Sequence, residues 1–143
     1  MSGMIDDHMV VCEPRARSGQ IWSAKDLIVY QKAYDLAMRI YRVSKGFPPE
    51  ERYSLTDQIR RASRSTCSNL REAWAKRRYV AHFTSKLTDS DGENAEVDTL
   101  LDFARDCNYL SAAEHEELSA LVSEVGKMLG AMIQNPTPFI ISR

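Results

Sequence analysis

Four stretches of the chain carry apolar residues at helical spacing, and the clearest of them runs from Ser54 to Tyr79. One of its faces follows the i, i+3/i+4 rule, which predicts a helix. The residues of that face are Leu55, Ile59, Ala62, Thr66, Asn69, Leu70 and Ala73. Ser54, with Asp57 three positions later, resembles a capping box that would begin this helix.

A preceding helix is predicted from Ala24 to Lys45, with Ser23 as its N-cap. Gly46, Pro48 and Pro49 end it. One apolar stripe consists of Leu27, Tyr30, Tyr34, Ala37 and Tyr41. Further apolar residues widen the coverage beyond the single face that a monomer needs to bury. This excess favours an oligomer; the alternative is that the N-terminal arm covers these residues.

A third helix is predicted from Val80 to Cys107, after a reversal at Lys76–Tyr79 that neither Gly nor Pro marks. Its inner row is Val80, Phe83, Leu87, Ser90, Asn94, Val97, Leu101 and Ala104. Two of these side chains are polar. We expect them to hydrogen-bond across the core, with Asn69 as a candidate partner, rather than to mark a loosened helix near Gly92.

Ser111 and Glu114 form a capping box that begins a fourth helix, which Pro136 and Pro138 end. Its predicted core face is Leu118, Leu121, Val122, Val125, Met128, Leu129, Met132 and Ile133. Short connections between four amphipathic helices predict an all-α fold, an antiparallel up-down-up-down four-helix bundle. Residues 24–135 form this domain, 1–23 are expected to be a flexible arm, and 136–143 a C-terminal tail.

The formal net charge of −1 conceals a strongly uneven distribution. Nine basic and two acidic residues lie between Arg52 and Lys86, which we call the basic stretch. One basic and eleven acidic residues lie between Leu87 and Gly126, the acidic stretch. Such asymmetry indicates an anionic partner for the basic stretch. It is equally compatible with pairing of the two stretches, within or between subunits.

Arginines of the second helix are the candidate binding residues. Arg60, Arg64, Arg71 and Arg78 fall within about 40° of one another, nearly opposite the predicted core face, if the helix stays regular that far. A row of cations on one face can neutralise successive phosphates. The candidate nucleic-acid-binding residues are Arg60, Arg61, Arg64, Arg71, Lys76, Arg77 and Arg78. Trp74 and Tyr79 beside them are candidates for base stacking or for packing at the helix end.

No residue set for catalysis or metal binding stands out. Asp89–Asn94 departs from a calcium loop because its Gly comes at the fourth position instead of the sixth. None of the three histidines has a Glu three positions before it, which a di-iron bundle requires. Cys67 falls on a mostly polar face and has no evident base, so we interpret it as a structural thiol. We therefore expect no enzyme activity and no cofactor.

Composition restricts the location of the protein. No apolar run approaches the roughly 18 residues of a membrane span. The N-terminal residues are acidic, and this excludes the basic start of a signal peptide. Three cysteines without C-x-x-C spacing fit a reducing cytoplasm better than a disulfide scaffold.

Three segments in register resemble a known family. They are D-L-I-V-Y-Q-K-A-Y-D-L-A at Asp26–Ala37, F-P-P-E-E-R-Y-S-L at Phe47–Leu55, and Q-I-R-R-A-S-R-S-T-C-S-N-L-R-E-A-W-A-K-R-R-Y at Gln58–Tyr79. The chain resembles small bacterial four-helix-bundle proteins, some encoded in intervening sequences of large-subunit ribosomal RNA genes, with a relative among accessory proteins of diversity-generating retroelements. Many members have N-I-A-E-G where this chain has N-L-R-E-A-W, so Ala73 replaces a helix-ending Gly.

The resemblance implies a homopentameric ring, which periodicity alone does not indicate. Our first hypothesis is a non-enzymatic RNA- or DNA-binding or accessory protein that uses the basic face of the second helix. The alternative is a structural or protein-interaction module, in which the two charged stretches serve oligomer packing or docking of a protein partner.

Overall fold

Four long helices make up most of residues 21–141, the part of the chain that the computed structural model describes. They are α1 (Ile28–Ser44), α2 (Leu55–Ala75), α3 (Val80–Asp106) and α4 (Ala112–Gln134). Three short 3₁₀ turns accompany them, at Ala24–Asp26, Pro49–Glu51 and Thr137–Phe139. No strand occurs between residues 21 and 141. The all-α prediction is confirmed, whereas most of the expected arm at 1–23 lies outside the described residues.

The start of α1 differs from the expected one. Ser23 does act as a cap, since its Oγ accepts the Lys25 N–H at 3.1 Å and its own N–H is bound by the Asp26 carboxylate at 3.1 Å. This box closes only a 3₁₀ turn, because Leu27 adopts an extended conformation (φ −76°, ψ 136°). The α-helix therefore begins at Ile28, four residues later than predicted.

The capping box predicted at Ser54 and Asp57 is wrong. Ser54 has φ −126° and ψ −105°, outside the extended geometry of an N-cap, and its side chain makes no capping bond. The Glu51 carboxylate accepts the Leu55 N–H instead, at 3.2 Å. Asp57 binds Arg61 one turn further along α2, at 2.7 Å.

Both later turns lie where the sequence predicts them. The α2–α3 reversal occupies residues 76–79, and extended Tyr79 (φ −121°, ψ 123°) starts α3 directly after it. The α3–α4 turn uses Asn108 at φ 65°, a left-handed conformation that Asn tolerates better than most residues. The box at Ser111 and Glu114 is confirmed, with hydrogen bonds of 3.0 and 2.9 Å.

The helices pack around two apolar clusters, and a buried polar layer lies where these meet. Ser90 Oγ donates to the Thr66 carbonyl at 2.7 Å, and Asn94 Nδ2 donates to the Val122 carbonyl at 3.0 Å. The expectation that Ser90 and Asn94 bond across the core is confirmed, and α3 continues unbroken through Gly92. Asn69 is not their partner, because its amide bonds the Ser65 carbonyl of its own helix.

Close approach of α3 and α4 requires a small residue opposite Asn94. A Cβ on Gly126 would lie 3.3 Å from Asn94 Nδ2, closer than ordinary van der Waals contact. Glycine at position 126 therefore leaves room for the side-chain amide of Asn94, which donates a hydrogen bond to the Val122 carbonyl of α4.

Helix α1 buries a different stripe from the predicted one. Its core residues are Val29, Ala33, Leu36, Ala37, Ile40 and Ser44. Tyr30 and Tyr41 are only half-buried, and Tyr34 is 54% exposed. The prediction that Val80 belongs to the inner row of α3 is also wrong, because this side chain is 50% exposed at the first position of that helix.

The C-terminal segment, expected as a tail, packs back onto the helices. Phe139 is buried, with its ring centroid 6.1 Å from that of Phe83. The Ile141 N–H donates to the Arg77 carbonyl at 3.2 Å. These contacts join residues 139–141 to the α2–α3 turn.

The variants Leu101→Ala and Leu121→Ala compare a fully buried core position with a partly buried one. Leu101 is fully buried, so we expect its truncation to lower the free energy of unfolding by about 2–5 kcal/mol. Leu121, predicted on the core face of α4, is only partly buried, so we expect its truncation to cost about 1 kcal/mol. Urea denaturation followed by circular dichroism measures both changes. Equal losses would contradict the burial described here.

Candidate nucleic-acid interface

Regular helical spacing brings Arg60, Arg64 and Arg71 into one row along α2, which we call the arginine row. Arg64 and Arg71 are exposed, whereas Arg60 is half-buried. Arg61 lies on the adjoining surface and is paired with Asp57. Three guanidinium groups are thus presented together over about 16 Å of helix.

The arginine row is not opposite the core, as the sequence predicted, but beside the contact between α1 and α2. Besides its predicted apolar face, α2 buries Thr56, Ser63, Cys67 and Trp74. These residues lie between the predicted core face and the arginines around the helix. Packing of α1 against α2 thus widens the buried arc, and the arginines stand at its edge.

Tyr41 of α1 contacts the arginine row of α2. Its ring centroid lies 4.9 Å from Arg60 Cζ and 5.8 Å from Arg64 Cζ, and Lys45 Nζ lies 4.8 Å away. Arg60 Nε also donates to Ser44 Oγ at 2.7 Å. Cation–π contacts and this hydrogen bond orient the guanidinium group of Arg60 before any ligand binds.

A shallow concavity with a volume of about 430 Å³ lies on the outer surface of α2. Its lining combines four arginines, three hydroxyl side chains and one carboxylate: Arg52, Arg60, Arg61, Arg64, Thr56, Ser65, Ser68 and Asp57. Guanidinium and hydroxyl groups are donors that suit phosphate oxygens. The single carboxylate is already engaged by Arg61. The concavity is therefore suited to an anion.

Within residues 21–141, no ion pair links the arginine row to a carboxylate. Lys86 with Asp89, at 3.4 Å, is the sole pair there that joins the basic and acidic stretches. The acidic stretch pairs instead with α1, through Lys32–Glu124 at 2.9 Å and through Arg39–Glu117. Because the acidic stretch does not pair with the arginine row inside one subunit, these arginines remain available to another anion.

The remaining predicted site residues form a separate group at the end of α2. Because the helix ends at Ala75, Arg78 leaves the row in which regular spacing had placed it. Lys76 and Arg78 are exposed. Arg77 folds over the Trp74 ring, with Cζ 3.9 Å from the centroid, and its Nη1 donates to the Trp74 carbonyl at 2.8 Å.

Arg77 is engaged in packing at this helix end. Burial lowers the pKa of its guanidinium. Trp74 beneath it is buried and offers no ring face to a base. Tyr79 is exposed and lies edge-on to His82, with centroids 5.5 Å apart. Of the two predicted stacking candidates, only Tyr79 presents its ring at the surface.

Four residues beside the arginine row were not predicted as site residues from the sequence: Arg52, Tyr34, Tyr41 and Lys45. The spacing of Tyr30, Tyr34 and Tyr41 was a usable signal, since it places three tyrosines on one side of α1. We assigned that side to the core. It borders α2 instead, because Val29, Ala33, Leu36 and Ile40 fill the core.

Cys67 is buried, contrary to its predicted position on a mostly polar face. Burial raises the pKa of its thiol from 9.0 to about 11. The thiolate therefore forms less readily than in the unfolded chain. The resulting contribution to stability is present below pH 9 and is lost as the pH rises through 11.

One side-chain cluster superficially resembles a hydrolase triad. His115 Nε2 lies 2.8 Å from Asp102 Oδ1 and 3.3 Å from Ser119 Oγ. A triad places the acid and the nucleophile on opposite ring nitrogens. Both partners contact the same nitrogen here, so the imidazole cannot transfer a proton between them in that manner.

The described part of the chain offers neither a metal site nor a helix that could span a membrane. No group of three or more His, Cys, Asp or Glu side chains there could hold a metal ion. None of the helices of residues 21–141 combines the length and apolar character needed to cross a membrane.

Comparison with known proteins identifies the family. The model of the 23S rRNA-intervening sequence protein family matches residues 25–131, which is well over half of the chain. The chain belongs to this family, as its three motifs indicated. No curated protein matches the chain.

A solved structure shares the fold. It is the 1.70 Å crystal structure of a protein with unknown function from the S23 ribosomal protein family of Bacteroides thetaiotaomicron. It is 26% identical, with a TM-score of 0.69, and the match covers 76% of this chain and 96% of that one.

The two described cysteines should differ strongly in reactivity. Cys107 is exposed and Cys67 is buried with a raised pKa, so iodoacetamide at pH 8 should modify Cys107 about ten-fold faster or more. Peptide mass spectrometry over a time course measures both rates. In guanidinium chloride the difference should disappear. Equal rates in the native protein would show that Cys67 is accessible.

Proposed function

We propose that this chain is a non-enzymatic nucleic-acid-binding or accessory protein whose α2 basic face contacts phosphates. The observation that carries this proposal is the row of Arg60, Arg64 and Arg71, which no carboxylate of residues 21–141 neutralises. Phosphates would release counterions on binding these guanidinium groups, which gives affinity without base recognition. Arg52 and Arg61 extend the same surface, and Lys76 and Arg78 add exposed charge at the end of α2.

The overall charge of −1 makes the location of the cations important. A polyanion would be repelled by the acidic stretch on α3 and α4 and attracted to α2. This favours one orientation of the nucleic acid on the protein.

We further propose that the helices alternate in direction as an antiparallel bundle formed by residues 24–135. Two contacts support this for α1 and α2. Arg60, early in α2, binds Ser44 at the end of α1, whereas the charge of Arg71, late in α2, acts on Tyr30 near the start of α1. Short connections at 76–79 and 107–111 are consistent with it. The cysteine pattern favours the cytoplasm as the location.

A homopentameric ring is part of the proposal. The family resemblance is its basis, and exposed apolar side chains outside the arginine row support it. Tyr79 and Val80 are 60% and 50% exposed at one end of the molecule. A neighbouring subunit would remove these apolar surfaces from water.

Multi-angle light scattering at micromolar concentration tests the assembly. We expect a mass five times the 16.3 kDa of the chain. High salt serves as a control for association through charge alone. A mass equal to one chain would refute the oligomer.

The alternative function is a protein-interaction module. One observation favours it: Phe103 is 59% exposed on α3 between acidic residues Asp102 and Asp106. An apolar ring within an acidic surface would suit a basic protein partner. Co-purification of a protein in the absence of nucleic acid would favour this function, whereas salt-sensitive binding of RNA or DNA favours the first.

Charge reversal of the arginine row tests the favoured function. The triple variant Arg60→Glu, Arg64→Glu, Arg71→Glu should lose RNA and DNA binding in fluorescence anisotropy. A triple lysine variant should keep most of it. In this lysine variant the salt slope should remain near that of the native protein, at about −0.7 per contact for single strands and −0.9 for duplex.

The matched control reverses three exposed cations elsewhere, Lys25, Arg42 and Lys127. It should retain binding, which shows that position and not total charge matters. Because Arg60 is half-buried, a double variant at Arg64 and Arg71 alone guards against misfolding. Unchanged binding by the triple variant would refute the proposal. Conversion to a monomer would place the arginine row in a subunit interface.

A further inference from the structure

We propose that the surface between α1 and α2 selects single-stranded nucleic acid, with a base stacked on Tyr34 while the arginine row holds the backbone. This inference rests on the proposed function and adds the form of nucleic acid that the surface accepts. The shared chemistry is a flexible polyphosphate strand with unpaired bases, whether ribose or deoxyribose.

Tyr34 is the aromatic ring of this surface that is available for stacking. It is 54% exposed, and its ring is stacked with that of half-buried Tyr30, with centroids 6.2 Å apart and planes inclined by 29°. The two rings lie on the same side of α1. A base that stacks on Tyr34 would therefore extend an existing aromatic pair.

Tyr41 does not offer the same opportunity. Three cations, those of Arg60, Arg64 and Lys45, already lie within 5.8 Å of its ring centroid. The ring of Tyr41 therefore already contacts these three cationic side chains and is less accessible to a base. Tyr34, two turns earlier in α1, has no cation–π contact of this kind within residues 21–141.

The tyrosines and arginines lie alongside each other. Tyr41 contacts Arg60 and Arg64, and at the other end burial and Cys67 raise the pKa of Tyr30 while the Arg71 guanidinium opposes this. Tyr34 lies one turn from Tyr30, between these two ends. A strand whose phosphates follow the arginine row would thus have its bases within reach of Tyr34.

A duplex cannot use both parts of this surface. Its bases are stacked on each other and paired, so only its phosphates are accessible to the arginine row. A single strand can turn an unpaired base onto an aromatic side chain, and every base offers a ring face for this. Tyr34 should therefore strengthen binding to single strands and leave duplex binding unaffected.

The experiment compares Tyr34→Leu with two matched variants. Tyr34→Phe keeps the aromatic ring, and Phe103→Leu removes another exposed aromatic ring far along the chain, on α3. The probes are fluorescent 20-nucleotide oligo(U), 20-nucleotide oligo(dT) and a 20-base-pair DNA duplex. Anisotropy titrations give the Kd for each, and light scattering gives the assembly mass.

We expect Tyr34→Leu to weaken binding of both single strands roughly five-fold or more and to leave the duplex Kd unchanged. Tyr34→Phe and Phe103→Leu should behave as the native protein. Selective weakening for oligo(U) alone would also support stacking and would restrict the role of Tyr34 to RNA.

The outcomes distinguish base stacking on Tyr34 from phosphate binding by the arginine row. If Tyr34→Leu binds single strands normally while the arginine variant does not, stacking is refuted and phosphate binding stands. Equal weakening for single strands and duplex, or a change in assembly mass, also refutes stacking. If the arginine variant binds every probe normally, both proposals are wrong.

Discussion

Close packing of α1 and α3 against α2 is the constraint on which the other features depend. Most side chains that α2 buries between its two ends are small, including Ala62, Ser63, Thr66 and Cys67. Small side chains allow neighbouring helices to approach closely, and interiors tolerate few voids. Two helices consequently pack on adjoining sides of α2. The buried arc becomes wide, and the arginines are confined to the remaining edge beside α1.

The two flanks of α1 have opposite roles as a result. One flank carries Lys32 and Arg39, which pair with the carboxylates of α4. The other carries Tyr41, which contacts Arg60 and Arg64 of α2, and helical spacing places Tyr30 and Tyr34 on the same side. The cations of α1 therefore compensate the acidic stretch, and the arginines of α2 keep their charge available. This arrangement explains how a chain with a net charge of −1 can present a basic surface.

Much of the fold could be predicted, because strong local signals determine it. The box at Ser111 and the inner row of α3 from Phe83 onward follow from a capping group and from helical spacing. Local patterns were less reliable where competing groups lay nearby. Glu51 replaced Ser54 as the cap of α2, and Leu27 interrupted the helix expected to begin at Ala24. Neither competition is visible in residue spacing alone.

The sequence by itself determined four helices, the family and the grouping of Arg60, Arg64 and Arg71, since one helical period places residues four and seven apart on one face. Only the tertiary structure decided which of two apolar stripes of α1 enters the core, because both have helical spacing and only packing distinguishes them. The same packing buried Cys67, covered Trp74 with Arg77, and brought Tyr41 against Arg60 and Arg64. Side chains on separate helices meet according to how the helices pack, and that is not encoded in the period of either helix.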